Sequence, residues 1–399
     1  MRRALRLVLI ADTFPPLCTS GAVQLRDLAR EFVRQDHSVT VMLPDADIEN
    51  WWSIEDMDGI QVVRLKSLRT KNIDYVRRTI GEFLMPYVMR YGLKKSPLAN
   101  EKWDGVVWYS PSIFHGPLVQ WLKNKCGSRS YLIIRDIFPE WAVDMGLMSR
   151  GLLYHGFNAM ARYQYSVADI IGVQTPGNLS YFSSWIKKPG RKLEVLQNWL
   201  GEPAQKMSRI RVDKTSLNGR KIFVYAGNMG VAQGVDILLA LAEKFIDRSD
   251  VGFVFVGRGS EAKKLKNLAM ERRLGNVLFF DEIHPDEIPD LYSQCCIGML
   301  SLDSRHKSHN IPGKFLTYMQ SGLPVLANVN AGNDLAGIIR NELVGQVCES
   351  NQLQELYQLA NRLLVQIDVD PNLSNRCLAL FEREFSSKKA VVQIARHFE

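Results

Sequence analysis

The stretch "YAGNMGVAQGVD" at residues 225–236 follows the apolar run "KIFVYA" and leads into "ILLALA". A buried strand, a glycine turn and a helix in that order form a phosphate-holding unit: Gly227 and Gly230 let backbone N–H groups approach an anion, and a helix beginning near Gln233 adds its positive end. The loop contains no Lys or Arg, so the positive charge that would complete it has to come from elsewhere in the chain. A second turn of the same kind follows at "FVFVGRGSEAKKL", with Gly257 and Gly259 between strand and helix. Neither turn is a GxGxxG in the first unit of the chain, which disfavours an ordinary NAD domain.

Outward from this point, short Val- and Ile-rich runs alternate with longer amphipathic segments, the pattern of parallel sheets covered by helices. Strands are expected near 5–11, 38–43, 60–65, 105–109, 130–134, 169–173 and 192–196. In the second half they are expected at "KIFVYA", "VGFVFV", "VLFF", "CCIGML" and "PVLA". The polar, basic stretch 201–221 separates the two series. The expected organisation is two doubly wound domains, 1–200 and 201–384, with a terminal helix at 385–399 crossing back to the first domain. Two such domains leave a cleft at the carboxyl ends of their strands, where this class of fold binds ligands.

The chain has 399 residues, 46% hydrophobic and 23% charged, as in a folded globular protein of more than one core. The opening "MRRALRLVLIADTF" is broken by Arg6 and ends in Asp12, so it reads as a first strand rather than a signal peptide. No apolar stretch approaches the roughly 18 residues of a spanning helix, and a cytoplasmic protein, peripheral to the membrane, is expected. The six cysteines lack CxxC spacing, which indicates reduced, mostly buried thiols, with Cys18 in an expected site loop. A formal net charge of +8 calls for an anionic partner.

The richest stretch is "SLDSRHKSHNIPGKFLTYMQSGLPVLANVNAGND", residues 301–334. A polar, basic loop holding Arg305, His306, Lys307 and His309 precedes Pro312 and Gly313, which open a helix carrying Lys314. A lysine in a first helical turn holds phosphate by charge and backbone together, and can supply what the glycine loop lacks. In the first half, "ADTFPPLCTSGAVQLRDLAREF" places a long Pro-rich loop before a helix opened by Gly21. "YLIIRDIFPEW" sets Arg135, Asp136 and Glu140 beyond a strand end, and "YSPSIFHGP" does the same for His115. Asp136 there can orient or deprotonate a hydroxyl and Arg135 can serve a phosphate. The structural alternative makes Asp136 a helix cap paired with Arg135, and His115 a core or surface histidine.

The order of "PPLCTSGAVQLRDLAREF", "LQNWL", "YAGNMGVAQGVDILLALA", "FVFVGRGSE" and "FLTYMQSGLPVLAN" resembles family 4 of the retaining GT-B glycosyltransferases over nearly the whole chain. "RDIFPEWAVDMGLM" and "IPGKFLTYMQSGLPVLA" look like the bacterial O-antigen and capsule branch that includes N-acetyl-L-fucosamine transferases. The resemblance implies a GT-B fold of two Rossmann-like domains and a UDP-sugar donor held mainly by the C-terminal domain. It also implies an acceptor held mainly by the N-terminal domain, and hexosyl transfer with retention. It assigns donor contacts to Gly21, Gly227, Asn228, Gly230, Gln233, Gly257, Gly259, His309, Asn310, Pro312, Gly313 and Thr317. From the residues themselves, catalytic parts are expected of Asp136, Glu140 and Lys314, and acceptor or sugar contacts of His115 and Arg135.

The chain departs from the family where charge is usual. The Arg and Lys that clamp the diphosphate correspond to Asn228 or Met229 and to Gln233, and the glutamates at E-x7-E spacing correspond to His309 and Thr317. Lys314, His309 and backbone donors are expected to substitute. The departing diphosphate would be stabilised by Lys314 and the loop N–H groups; no carboxylate nucleophile is identifiable. Neither cofactor nor metal is expected, since "DAD" (Asp45 to Asp47) and "DVD" (Asp368 to Asp370) fall in surface connections.

"RTKNIDYVRRTIGEFLMPYVMRYGLKK" carries Ile73, Val76, Ile80, Phe83, Leu84, Tyr87 and Tyr91 at helical spacing, with Pro86 expected to kink the helix. Arg69, Lys71, Arg77, Arg78, Arg90, Lys94 and Lys95 surround them against Asp74 and Glu82. Such a segment suits an anionic inner-membrane surface and a polyprenyl-diphosphate-linked acceptor, with Arg77, Arg78, Phe83, Leu84 and Arg90 as contacts. The alternative is a helix that buries its stripe against the sheet. Other readings of the whole chain are a sugar-nucleotide epimerase of GT-B shape and a non-catalytic subunit. Nucleic acid is disfavoured because no recognised module is present.

Overall fold

The computed structural model describes every residue except 1–2, 18, 71–72, 145, 204–205 and 303–310. The chain divides into two compact units, Met1–Gly201 with Ser387–Glu399, and Glu202–Ser386. The N-terminal unit holds β1 (Arg6–Ile10), β2 (Ser38–Asp45), β3 (Trp52–Met57), β4 (Ile60–Lys66), β5 (Gly105–Tyr109), β6 (Arg129–Ile134), β7 (Ile170–Val173) and β8 (Lys192–Val195). They form one sheet in the order β3-β4-β2-β1-β5-β6-β7-β8. The C-terminal unit holds β9 (Lys221–Ala226), β10 (Val251–Val256), β11 (Val277–Phe280), β12 (Ile297–Ser301), β13 (Val325–Asn328) and β14 (Gly345–Cys348), in the order β11-β10-β9-β12-β13-β14.

All neighbours pair in parallel except β3 with β4. Central strands such as β5, β10 and β12 are buried at every position, as expected where helices cover both faces. In each sheet the strand order reverses once. The reversal falls between β1 and β5 in the first unit and between β9 and β12 in the second, and these switch points are where open α/β sheets leave a crevice beyond the strand ends.

Two strands go beyond the sequence reading. β3 is a mostly exposed edge strand of mixed polarity, antiparallel to β4 and joined to it at Asp58 and Gly59, whose φ values are +56° and +79°. That is the positive-φ Asp-Gly hairpin turn. β14 is a short edge strand with little apolar signal. The helix expected near Gln233 begins later, at Asp236, after a single 3-10 turn over Val231–Gln233.

The C-terminal helix Ser387–Ala395 packs on the Ser20–Arg34 helix in the N-terminal unit, where Val391, Ile394 and Phe398 join the core with Leu7, Leu28 and Val41. Glu194 anchors it, accepting from Tyr131 Oη (2.8 Å) and Arg396 (2.7 Å) and meeting His397 Nε2 at 3.1 Å. Burial alone would raise the Glu194 carboxyl, but the hydrogen bonds from His397, Gln393, Tyr131 and Arg396 outweigh it and hold the group at about 2. A depressed carboxyl contributes stability above its unfolded value near ~4.3 and loses it as pH falls through the folded one. Acid titration of unfolding from pH 5 to pH 2 is therefore expected to remove about 2 kcal/mol that Glu194→Gln lacks; equal acid sensitivity in both proteins would contradict the assignment.

Candidate functional site

In the C-terminal unit the loops after β9 and β12 flank the switch point. The β9 loop is braced from within. Tyr225 Oη donates to Asn228 O at 2.6 Å, and Gln233 Oε1 accepts from Asn228 Nδ2 (2.9 Å) and from Gly230 N (3.1 Å). Gly227 N donates to Val256 O and Met229 N to Arg258 O. These internal bonds correct the expectation that the loop's glycine N–H groups all serve an anion: those of Gly227 and Gly230 are already used. Gln233, expected from the sequence to stand in for a diphosphate-clamping cation, works as a neutral strut.

The second turn has a structural task. Gly257 and Gly259 have φ of +141° and +148°, and a Cβ would lie 2.0 Å from Gly227 O in the first case and 2.4 Å from Met229 O in the second. Both glycines are thus required by close backbone packing against the first turn, which holds that loop in shape.

Lys314 is where the missing charge lies. Pro312 caps the helix Gly313–Gln320, and the Lys314 side chain in its first turn reaches back to the β9 loop. Its Nζ sits 3.7 Å from the centre of the Tyr225 ring and 3.5 Å from where a Cβ on Gly227 would stand. The helix itself is pinned by Tyr318 Oη, which donates to Met299 O at 2.8 Å and to Val224 O at 3.1 Å. Among the described residues no carboxylate pairs with Lys314, and burial pushes its ammonium down to about 7. Thr317 donates its hydroxyl to Gly313 O at 3.2 Å. His309 and Asn310 lie outside the described residues.

In the N-terminal unit Asp12, His115 and Asp136 follow the neighbouring strands β1, β5 and β6 at their carboxyl ends. His115 is fully buried; its Nε2 lies 2.7 Å from Asp12 Oδ1, and its Nδ1 has no partner among the described residues. Asp136 is exposed. Gly21 lies in the first turn of the Ser20–Arg34 helix, capped by Thr19, whose Oγ1 accepts from Ala22 N. Asp12 was missed by sequence reading, although a carboxylate directly after "LVLIA" is the available signal; Tyr225 was missed as well.

Arg135 and Glu140 are placed differently from expectation. The Arg135 guanidinium is buried, donates to Leu196 O (2.9 Å) and Gln197 O (3.3 Å), and stacks 4.3 Å over Trp199. Burial lowers it to about 10, so it stays charged at neutral pH. It fastens the segment after β8 rather than facing an acceptor. Arg135→Met is expected to cost about 2–3 kcal/mol through two orphaned carbonyls and a lost cation–π contact, read as a lower urea midpoint. An unchanged midpoint with a raised acceptor KM would return Arg135 to the acceptor site. The Glu140 carboxylate accepts from Tyr154 Oη (2.8 Å) and pairs with Arg150 (3.6 Å), which gives it a structural tie in place of the expected catalytic position.

The "DAD" and "DVD" aspartates pair with surface cations, Asp47 with Arg69, Asp368 with Lys221 and Asp370 with Arg376. The helix Tyr75–Lys95 runs unbroken through Pro86 and buries Met85, Met89 and Leu93 against the sheet. Of the stripe seen in the sequence, Val76, Ile80, Phe83, Leu84, Tyr87 and Tyr91 are exposed on its outer side, and Ile73, before the helix, is half-buried. Arg90, Lys94 and Lys125 surround the Trp121 ring at 5.1, 5.9 and 5.5 Å. Arg78 pairs with Glu82 and Arg77 with Asp74. Among the described residues no helix is long and apolar enough to cross a membrane.

A solved structure, Anabaena Alr3699/HepE in complex with UDP and glucose, superposes with a TM-score of 0.68 at 13% identity, covering 98% of each chain. The fold is GT-B. Within this GT-B chain, residues 220–366 match the family described as Glycosyl transferases group 1. "Probable glycosyltransferase WbjE" of Pseudomonas aeruginosa is 23% identical over 247 residues, 61% of this chain and 61% of that protein. "Putative colanic acid biosynthesis glycosyl transferase WcaI" of Escherichia coli (strain K12) is 23% identical over 268 residues, 63% of this chain and 62% of that protein. The matches thus span about three fifths of each relative's length.

Proposed function

We propose that the protein is a glycosyltransferase that moves a sugar from a UDP-sugar to a lipid-linked precursor of a surface polysaccharide, with retention of configuration. The observation that carries this reading is the Lys314 ammonium held against the glycine loop at the switch point of the C-terminal sheet. A diphosphate there meets one compact cation and a helix N-terminus, which stabilise the charge that develops as the sugar leaves. The match of residues 220–366 to Glycosyl transferases group 1 and the polysaccharide relatives support the same chemistry. N-acetyl-L-fucosamine or a related deoxy or amino sugar is the proposed group, on the resemblance of "IPGKFLTYMQSGLPVLA".

In the N-terminal unit the exposed Asp136 is proposed to orient or deprotonate the acceptor hydroxyl, and the Asp12–His115 pair to shape the pocket for the sugar. No metal step is invoked. The outward stripe of the Tyr75–Lys95 helix and its basic flank are proposed to rest on the cytoplasmic face of the membrane, where a polyprenyl-diphosphate acceptor resides.

The test is an incubation of purified protein, candidate UDP-sugars and lipid-linked oligosaccharide, read by mass spectrometry. A gain of one sugar residue on the lipid, with UDP released, is expected. Epimerised donor without transfer, or unchanged donor and acceptor across the set, would contradict the reading.

A further inference from the structure

Beyond the Tyr75–Lys95 helix, the N-terminal unit exposes a second group of large apolar side chains. Leu147, Leu152 and Leu153 are 72%, 93% and 73% exposed, all within the turn 147–153 and the start of the helix Leu152–Val167. Scattered surface leucines are ordinary, but three nearly bare ones in seven residues form a protruding apolar tip. The turn is held rather than loose. At its base Tyr154 is buried and donates to Glu140, and Arg150 within the turn stacks 5.1 Å over the Tyr154 ring.

The position of this tip connects it to the first apolar surface. The helices Tyr75–Lys95, Gly116–Cys126 and Leu152–Val167 cover one face of the sheet, since Met85, Met89, Leu118, Leu122, Ala161 and Val167 share one core cluster. Tyr163 of the last helix and Tyr87 of the first are both exposed. Each helix follows a strand of a parallel sheet, so the starts of all three lie toward the carboxyl edge. The tip 147–153 therefore stands at the same edge as Asp12, His115 and Asp136.

We propose that 147–153 is a second membrane-insertion point, which together with the Tyr75–Lys95 helix seats the N-terminal unit on an anionic bilayer with the carboxyl edge of its sheet at headgroup height. Leu147, Leu152 and Leu153 enter the acyl boundary, while the exposed Arg77 and Arg78 at the start of the Tyr75–Lys95 helix, at the same edge, meet lipid phosphates. Two contacts fix the tilt that a single surface helix leaves open. A sugar carried on a membrane-bound diphosphate then stands at the height of Asp136 without leaving the lipid surface. This inference rests on the membrane reading given above for the Tyr75–Lys95 helix.

The test is co-sedimentation of the full chain with phosphatidylcholine vesicles and with vesicles containing phosphatidylglycerol. Wild type is expected to bind the anionic vesicles preferentially. Leu152→Glu with Leu153→Glu is expected to reduce that binding about tenfold or more, since each leucine buried in lipid is worth about that factor. The folded state should be unaltered by circular dichroism, because both side chains are exposed. Ile80→Glu with Phe83→Glu is the comparison. Loss of binding in both variants supports two insertion points. Loss in the Ile80 and Phe83 variant with wild-type binding by the leucine variant overturns the second point and leaves the helix reading standing. Absence of binding by wild type, or equal binding to both vesicle types, overturns the inference and the membrane reading with it.

Discussion

Lys314→Met is expected to weaken UDP binding about ten- to a hundredfold while leaving the protein folded. A charge-assisted contact from a desolvated ammonium to phosphate contributes about 1.5–3 kcal/mol, and each 1.4 kcal/mol is about tenfold in affinity. Methionine keeps an unbranched side chain over the Tyr225 ring, and it removes a half-buried charge that has no carboxylate partner among the described residues. Thermal stability should therefore hold or rise. The pH dependence separates charge from packing. With the Lys314 ammonium pushed down to about 7, the protein without ligand loses its proton as pH rises past neutrality. Binding a diphosphate then requires proton uptake, so wild-type affinity should fall by up to about tenfold per pH unit above 7 until the bound-state value is reached. The Lys314→Met protein should show no such slope. An equal slope in both proteins would assign the titration to another group.

Asp136→Asn is expected to lower turnover about a hundredfold with UDP affinity unchanged, the scale of a lost general base or orienting carboxylate. Asp136 is exposed beyond β6, beside the Asp12–His115 pair in strand order. Asparagine keeps the size and can still accept one hydrogen bond, so loss of rate without loss of fold reports the charge or the proton. Undiminished turnover would exclude the role and move attention to Asp12.

The two parallel sheets were legible because buried strands such as "VGFVFV" admit little but β-branched and aromatic residues. β3 was not, since an edge strand that is mostly exposed alternates with no clear apolar face, and its Asp-Gly turn was the one available signal. Lys314 was legible because Gly-Lys after Pro at a helix start is a local feature. Its seat on Tyr225 was not, because that contact arises from a helix packed onto a strand roughly ninety residues earlier. Arg135 shows the opposite limit. A residue just past a strand end reads the same whether it faces a ligand or a neighbouring segment, and only the packing of Trp199 and the carbonyls of Leu196 and Gln197 decides. For the Tyr75–Lys95 helix, spacing showed which side chains share a face. It did not show that Met85, Met89 and Leu93 would be the ones to meet the sheet.

The most direct measurement is a calorimetric titration of the purified chain with UDP, and with GDP for comparison, in buffer containing a chelator. Binding of UDP, tighter than GDP and weakened by Lys314→Met, is the result this account predicts. A folded protein that takes up no nucleoside diphosphate would contradict it, and would leave Lys314 and the loop at Gly227 with a structural task alone.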